Sequence, residues 1–573
     1  MSTKTRNIIR ISILFCLLLL PIFCALAMAV DIQYSVLKKI AYFAVVLVLL
    51  AIPALFLKAR TYFIVEGVFN FFFFPIDIAS LYLNKQSTST AFLNNIFATN
   101  PSEALELLGS LWQVVVVVVL LWGLYFILAF RVENKRLLPQ KATKIILISA
   151  GVLFVIGLVA MLTLTIRNHK DRSAKDTLEN AFDLVWMKLY KIYPYNLYLE
   201  TIDILKLQHQ QKQLQKQVES FSFGLTSKTS DEPELFILVI GETARYDHLG
   251  INGYERNTTP LLAQKSNLVS FDSAFSQANL TATSLPLLAT RVTAEDPEQA
   301  YAEKSVGEAF QEAGFKAGWL TKQIPYPFVN RIMNQSDYAY FWSKGIDVVG
   351  NYDIDLVSKL REFTEDTLQF FVLHSLGCHF RYELRYPDSF KQFQPMFEGL
   401  VSYTAITEEN RDKLVNAYDN GILYTDYFLS ELIDYVDSLD RVAAVLYISD
   451  HGESFWDDER KLVLHGSYQI VDVEYHVPLL VWYSDEYKAK YPAKVSALHN
   501  NKSTLISSSV VFHSLLDLAD IDMDSTLPKP AAIDNSRSIC SPVLRRQDTI
   551  YIITGSGETV QHSFANSQIL NLN

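Results

Sequence analysis

Five long apolar stretches near the amino terminus constrain the fold of this chain more than any other feature. They lie at residues 10–30, 38–57, 61–83, 110–130 and 145–166. Each is close to the roughly 20 residues that a transmembrane helix needs. Glu66 and Asp77 interrupt the third stretch, and carboxylates at that depth are expected to face protein or the membrane interface. The sequence therefore predicts a multi-pass α-helical membrane domain of five spans over residues 1–167.

Basic residues between the apolar stretches predict how the spans are oriented. They form three groups: Lys4, Arg6 and Arg10; Lys58 and Arg60; and Arg131, Lys135, Arg136, Lys141 and Lys144. With five spans these groups share one side, which the positive-inside rule makes cytoplasmic, although Lys38 and Lys39 are exceptions. Everything after Ile166 then lies on the outer side of the membrane.

The amino terminus also permits a second interpretation. Residues 4–29 have a basic start, an apolar middle and small residues around Ala27, as a cleaved signal peptide does. Cleavage would leave four spans and place both ends of the mature chain on the same side.

Residues 168–232 differ from the segments on either side and are predicted to form a bridging helix and a linker. Phe182, Val185, Trp186 and Leu189 recur at helical spacing and would share one face. Such a helix suits a membrane surface, or it packs on the following domain. The Ser/Thr-rich stretch at 220–230 predicts a linker.

Residues 233–573 show apolar strands that alternate with helical stretches. The strands are predicted at 235–240, 316–320, 367–373, 443–449 and 477–483. This alternation is typical of an α/β sheet covered by helices. The formal net charge of −11 argues against a general nucleic-acid-binding protein. Cys378 and Cys540 are the cysteines outside the apolar stretches, and whether they form a disulfide stays open.

Polar side chains follow several of the predicted strands. Glu242 follows the first, His379 follows the third, and Asp450-His451 follow the fourth, with His465 shortly after. Ligands bind beyond the carboxyl ends of strands in open α/β sheets. A carboxylate or a histidine alone is more often structural, but together these residue types suit zinc or manganese better than magnesium.

Four motifs in this region resemble those of one known family. They are the stretch from Val239 to Pro260, which includes Gly241-Glu242-Thr243-Ala244-Arg245; Asn416-Ala-Tyr-Asp-Asn420; Ile448-Ser-Asp-His-Gly-Glu-Ser454; and Leu464-His-Gly466. They resemble bacterial phosphoethanolamine transferases, inner-membrane enzymes with the alkaline phosphatase/sulfatase fold. The resemblance implies a periplasmic α/β alkaline phosphatase/sulfatase-like domain over residues 233–573.

The resemblance also implies roles for individual residues. Glu242, Thr281, Asp450 and His451 correspond to the ligands of a first zinc ion, and Thr281 corresponds to the nucleophile. His379 and His465 correspond to residues that bind a second metal or the phosphoryl group, and a second zinc is left open. His374 is a weaker candidate, and Lys322 does not align with the phosphate-contacting lysine of some members. Asn100 lies in a stretch that resembles the donor-binding loop, although a helix N-cap explains it equally well.

The turn that carries Thr281 departs from the family pattern. The family flanks this turn with cysteines, whereas this chain has Gln277 and Leu287 there. The turn must therefore be made rigid by packing. Thr283 and Ser284 supply further hydroxyls close to the expected nucleophile.

The implied reaction transfers phosphoethanolamine from phosphatidylethanolamine to lipopolysaccharide through a covalent phosphoethanolamine-threonine. Both partners are membrane lipids, no nucleic acid is involved, and the chain is expected to act as a monomer. The acceptor stays open between lipid A, a core sugar and a periplasmic glycan. A phosphoglycerol transferase of the lipoteichoic-acid-synthase type is the alternative, and a catalytically inactive scaffold is a further one. A sulfatase is not favoured, because Cys378 lacks the sequence context of a sulfatase nucleophile.

Overall fold

The structure is a computed structural model whose residues fall into two units. It describes residues 2–28, 36–84, 88–89, 93, 96, 112–137, 139–168, 195–228, 230, 232–323, 325–342, 349–397, 401, 405–523 and 533–566. The first unit comprises Met1–Ile96 with Trp112–Lys206, and the second Phe97–Leu111 with Leu207–Asn573. Asn100 and the aromatic segment around Trp186 lie outside the described residues.

The first unit consists of long helices where it is described. They are Thr3–Met28, Val36–Phe56, Ala59–Asn84, Trp112–Phe130, Gln140–Asn168 and the first part of Tyr195–Leu214. The first five of these coincide with the predicted apolar stretches. Among the described residues, two segments are long and apolar enough to cross a membrane, Thr3–Cys24 and Ala59–Leu81. By length and composition these two segments fit an amino-terminal membrane region, and the count of five spans stays a prediction.

The two carboxylates in the third apolar helix are shielded from the surroundings of this unit. Glu66 is 3% exposed and Asp77 is 1% exposed. Asp77 Oδ1 accepts hydrogen bonds from the backbone N–H and the hydroxyl of Thr88, at 3.0 and 2.9 Å. Both carboxylates thus face protein, as expected for charged groups in a helix of this hydrophobicity.

The second unit is built on a seven-stranded sheet, which contains the five predicted strands and two more. The strands of this unit are β1 Glu234–Gly241, β2 Leu268–Phe271, β3 Ala274–Phe275, β4 Lys316–Thr321, β5 Tyr338–Phe341, β6 Gln369–His374, β7 Val442–Ser449, β8 Ser454–Phe455, β9 Val463–Leu464, β10 Leu479–Tyr483, β11 Ile506–Ser507, β12 Ile550–Ile553 and β13 Thr559–His562. The strand order in the sheet is β2-β10-β7-β1-β6-β4-β5. Strands β7, β1, β6, β4 and β5 are parallel, whereas β10 is antiparallel to both of its neighbours.

Helices surround this sheet and bury its central strands. They are Thr281–Ala289, Val306–Glu312, Pro327–Gln335, Ile354–Phe363, Arg411–Asp437, Asp472–Tyr475, Asp485–Lys490, Pro492–Asn501 and Val511–Leu518. Every residue of β1 and of β7 is buried, which accounts for their continuous apolar sequences. The second unit is therefore an α/β domain with helices covering a mostly parallel sheet.

The Ser/Thr-rich stretch that was predicted as a linker packs against the second unit. The Glu312 carboxylate accepts hydrogen bonds from the backbone N–H groups of Phe223, Gly224 and Leu225, at 2.7–3.0 Å. Lys228 Nζ donates to Glu234 Oε2 at 2.7 Å. These contacts fix the chain directly before it enters β1.

Candidate metal centre and nucleophile

Three neighbouring parallel strands place polar residues just beyond their carboxyl ends. In the register of the sheet, Ile240 of β1 pairs with His374 of β6 and with Ile448 of β7. Glu242 therefore emerges beside Asp450, because both residues follow the ends of adjacent parallel strands. Ligands bind beyond the carboxyl ends of the strands in open α/β sheets.

Glu242, Asp450 and His451 form a group with the geometry of a metal site. Ligand atoms from the three residues lie within 4.8 Å of one another, and all three are buried. His451 Nε2 lies 3.5 Å from Glu242 Oε1 and 3.3 Å from Asp450 Oδ2. Asp450 Oδ2 is buried and has no hydrogen-bond partner among the described residues. This orphaned carboxylate oxygen, beside a second carboxylate and an imidazole, fits a divalent cation.

The electrostatics of this group also favour a cation. Among the described residues, neither Glu242 nor Asp450 forms an ion pair with a lysine or an arginine. Burial and the Glu242 carboxylate raise the pKa of Asp450 to about 7. Burial also acts to raise the pKa of Glu242, but His451, His379 and His465 outweigh it and hold that pKa at about 2. Two buried carboxylates in contact require neutralisation, which a bound cation supplies.

Thr281 places its hydroxyl against two members of this group. It begins the helix Thr281–Ala289, and its Oγ1 lies 3.3 and 3.2 Å from the two oxygens of Glu242 and 3.3 Å from His451 Nε2. The hydroxyl of Thr283 donates instead to Leu280 O at 2.9 Å. The hydroxyl of Ser284 donates to Asp450 O at 2.7 Å. Both of these neighbouring hydroxyls are therefore engaged with the backbone.

Thr243 supports the candidate ligands. Its hydroxyl donates to Glu242 Oε1 at 2.7 Å, and its backbone N–H donates to Asp450 Oδ1 at 3.0 Å. Thr243 has φ of 61°, which is strained for a β-branched residue. The hydroxyl of Tyr418 donates to Thr243 O and accepts from Arg245 N, both at 2.8 Å. These bonds join the Gly-Glu-Thr-Ala-Arg motif to Tyr418 of the Asn-Ala-Tyr-Asp-Asn motif.

His465 and His379 lie beside this group, whereas His374 has a different environment. The ring centroid of His465 is 4.1 Å from that of His451, and its Nδ1 lies 3.0 Å from Glu453 Oε1. His379 acts electrostatically on Glu242. His374 is buried, and burial lowers its pKa to about 4. Its Nδ1 forms a 3.1 Å hydrogen bond with Thr321 Oγ1. These surroundings are those of a structural residue.

Gln323 contacts the site although its sequence context did not indicate this. Its Nε2 donates to Glu242 Oε2 at 2.8 Å and to Ser375 O at 3.1 Å. The preceding Lys322 instead has a fully buried side chain that pairs with Asp355 at 2.8 Å. A glutamine in the sequence does not by itself indicate a site residue, so only the tertiary contact reveals the position of Gln323 at the site.

The turn before Thr281 is braced without a disulfide. The hydroxyl of Ser276 donates to Asp450 O at 2.5 Å. Gln277 O accepts from Ile553 N at 2.7 Å, and Gln277 Oε1 accepts from Ala294 N at 3.0 Å. The expectation that packing replaces the cysteines agrees with these contacts. Elsewhere in the unit Cys378 and Cys540 are both buried free thiols.

Comparison with known proteins identifies related sequences and folds. A family model described as Sulfatase matches residues 234–521, and one described as Phosphoethanolamine transferase EptA/EptB matches residues 88–176. Kdo(2)-lipid A phosphoethanolamine 7''-transferase of Escherichia coli (strain K12) is 34% identical over 290 residues, which cover 49% of this chain and 49% of that protein. The match thus spans about half the length of this relative.

Two solved structures share the fold. The integral membrane protein lipooligosaccharide phosphoethanolamine transferase A (EptA) from Neisseria meningitidis has a TM-score of 0.63 at 22% identity, covering 84% of this chain and 90% of that chain. The C-terminal periplasmic domain of EcEptC from Escherichia coli in complex with Zn has a TM-score of 0.52 at 22% identity, covering 60% of this chain and 95% of that chain. Together with the family models, these matches confirm the resemblance to phosphoethanolamine transferases. Because the sulfatase model covers half of the chain, this protein belongs to the sulfatase family.

Proposed function

We propose that this protein transfers phosphoethanolamine from phosphatidylethanolamine to lipopolysaccharide through a covalent phosphoethanolamine-threonine at Thr281. The observation that carries the proposal is the position of Thr281 Oγ1, within 3.3 Å of both Glu242 and His451. Relatives named as phosphoethanolamine transferases, among them the Escherichia coli protein at 34% identity, support the choice of reaction. They also favour it over the phosphoglycerol alternative.

The metal in the proposal is zinc, bound by Glu242, Asp450, His451 and Thr281. The ligand types suit zinc, and the structure of the EcEptC domain in complex with Zn supports the choice. A divalent cation bound there lowers the pKa of a coordinated hydroxyl and withdraws electrons from a phosphoryl oxygen. We propose one bound zinc ion, and whether a second one binds is a question for experiment.

The residues of the chain supply the remaining chemistry. Thr281 Oγ1 forms a bond to phosphorus as the bond from phosphorus to the diacylglycerol oxygen breaks, and the threonine proton passes to Glu242, with which the hydroxyl is hydrogen-bonded. His465, held at Nδ1 by Glu453, gives a proton to the departing diacylglycerol oxygen. In the second step, an acceptor hydroxyl or phosphate oxygen attacks phosphorus as the bond from phosphorus to Thr281 Oγ1 breaks. Glu242 returns its proton to Thr281, and His465 takes the proton of an acceptor hydroxyl or, with a phosphate acceptor, regains one from water. His379 and Asn100 are assigned to substrate binding.

The membrane region gives this chemistry access to lipids. We assign five spans within residues 1–167, residues 168–232 to a bridge, and residues 233–573 to a periplasmic catalytic domain. The basic residues on one side of the spans support this orientation. Reporter fusions at Lys141 and Lys170 are expected to report opposite sides of the inner membrane.

Release of diacylglycerol tests the function directly. The full chain in detergent, incubated with phosphatidylethanolamine, is expected to release diacylglycerol, and chelation of zinc is expected to abolish the release. Mass spectrometry of lipid A and core from cells with and without the protein then identifies the acceptor. Release of phosphatidic acid or free ethanolamine instead would contradict the proposed reaction.

A further inference from the structure

A fully buried carboxylate, Glu474, joins three segments of the candidate site. It lies in the single-turn helix Asp472–Tyr475 and is 0% exposed. Among the described residues no lysine or arginine pairs with it. Its carboxylate is therefore stabilised mainly by hydrogen bonds, to which Arg460 adds an electrostatic contribution without an ion pair, and its burial is costly unless those bonds are complete.

Four hydrogen-bond donors converge on the two oxygens of Glu474. Oε2 accepts from Asn279 Nδ2 at 2.7 Å and from Ser467 N at 3.1 Å. Oε1 accepts from the hydroxyl of Ser454 at 2.7 Å and from the hydroxyl of Ser467. Asn279 Nδ2 also donates to Ser467 O at 3.0 Å, so two of the segments are bonded to each other as well.

The donors flank residues of the candidate site. Asn279 lies two residues before Thr281, and Ser467 lies two residues after His465. The backbone carbonyl of Glu474 accepts from Gly452 N at 2.7 Å, directly after His451. One residue thus contacts the segments that supply the nucleophile, a metal ligand and a proton donor.

We propose that Glu474 is a positioning residue that sets Thr281 and His465 relative to the metal centre. The proposal rests on the proposed function. Glu474 has one contact through its backbone and several through its side chain, and a substitution affects only the second kind. The bond from Gly452 uses the Glu474 backbone and survives any side-chain substitution, so the metal ligands stay in place. The bonds to Asn279 and Ser467 use the carboxylate and are lost when it is removed.

The types of donor predict which substitution preserves function. Oε2 accepts from two N–H groups, which must donate, whereas Oε1 accepts from two hydroxyls, which rotate and also accept. In Glu474→Gln the amide oxygen takes the place of Oε2 and the amide nitrogen donates to the hydroxyl oxygens. The four contacts are thus kept without the charge, and the two hydroxyl protons turn away from the amide. In Glu474→Asp the side chain is one methylene shorter and does not reach both sets of donors.

The experiment measures diacylglycerol release and zinc affinity on the full chain in detergent, with each value expressed per folded molecule. Glu474→Gln is expected to keep kcat within about 10-fold, and Glu474→Asp to lower kcat about 100-fold with KM little changed, as misplacement near 1 Å does. Zinc affinity should stay within about 3-fold in both. Asn279→Leu removes the link to the nucleophile turn while keeping the branched shape of the side chain, and it should reproduce the loss in kcat.

Glu234→Gln is the matched control. Glu234 is equally buried but lies at the opposite end of β1, where it pairs with Lys228 and Lys490, so its replacement should lower stability while kcat per folded molecule does not change. Wild-type kcat in Glu474→Asp, inactivity of Glu474→Gln, or zinc affinity that falls together with kcat would each overturn the inference. A wild-type protein that releases no diacylglycerol would instead refute the proposed function.

Discussion

Replacement of Gln323 by alanine is expected to weaken zinc binding without removing a ligand. Gln323 Nε2 donates to Glu242 Oε2 at 2.8 Å, and the hydroxyl of Thr243 donates to Glu242 Oε1 at 2.7 Å. Besides the more distant Thr281 hydroxyl, each oxygen of this ligand thus has one hydrogen-bond donor that fixes its orientation. Partners of this kind orient metal ligands and contribute to metal affinity.

The size of the effect follows from the geometry. A hydrogen bond to a charged group contributes about 1.5–3 kcal/mol, and loss of such a partner typically costs 10–100-fold in metal affinity. Gln323 is only half-buried, so water replaces part of the lost bond. We therefore expect the lower end of the range, a rise of about 10-fold in the zinc Kd, or about 1.4 kcal/mol.

Competition with a chromophoric chelator at neutral pH measures this change. Gln392 is exposed, and Gln392→Ala serves as the control for a glutamine lost elsewhere in the same unit. The thermal midpoint of the metal-free protein should be similar in both variants. An unchanged zinc Kd in Gln323→Ala would refute the argument that this amide orients Glu242.

Three further predictions concern other parts of the second unit. Asp450→Asn should raise the zinc Kd by more than about 100-fold, measured by the same competition, because a charged ligand matters more than its hydrogen-bond partner. Burial lowers the pKa of His476 to about 4, so unfolded chains bind protons more readily as pH falls below about 6.5. Protonation of His476 alone should therefore lower the free energy of unfolding by about 2 kcal/mol between pH 7 and pH 5, as measured by denaturant unfolding. His476→Gln should reduce this loss. Since Cys378 and Cys540 are free, a reductant should leave the thermal midpoint unchanged, whereas a disulfide would contribute about 2–5 kcal/mol.

The central strands of the sheet could be predicted because they are buried on both faces. Continuous apolar runs such as those of β1 and β7, bounded by polar residues, are typical of strands that helices cover on both sides. Strands β2 and β5 were not predicted, since both are four residues long and lie at the sheet edges. The antiparallel direction of β10 depends on how the chain crosses the sheet, which local sequence does not encode.

The candidate site was predictable in part for a similar reason. Glu242, Asp450 and His451 follow apolar strands, so their residue types and positions both indicate a metal site. The position of Thr281 came from family resemblance alone, since Thr283 and Ser284 have the same chemistry. Gln323 and Glu474 were missed because long-range contacts determine what a buried amide or carboxylate does.

Identification of the residue that carries phosphoethanolamine tests the central claim most directly. The wild-type chain is incubated with phosphatidylethanolamine and zinc without an acceptor, digested, and analysed by peptide mass spectrometry. We predict a phosphoethanolamine adduct on Thr281, and its absence from Thr281→Ala under conditions in which that variant stays folded and binds zinc. An adduct on Thr243, Thr283 or Ser284, or diacylglycerol release without any adduct, would contradict the account.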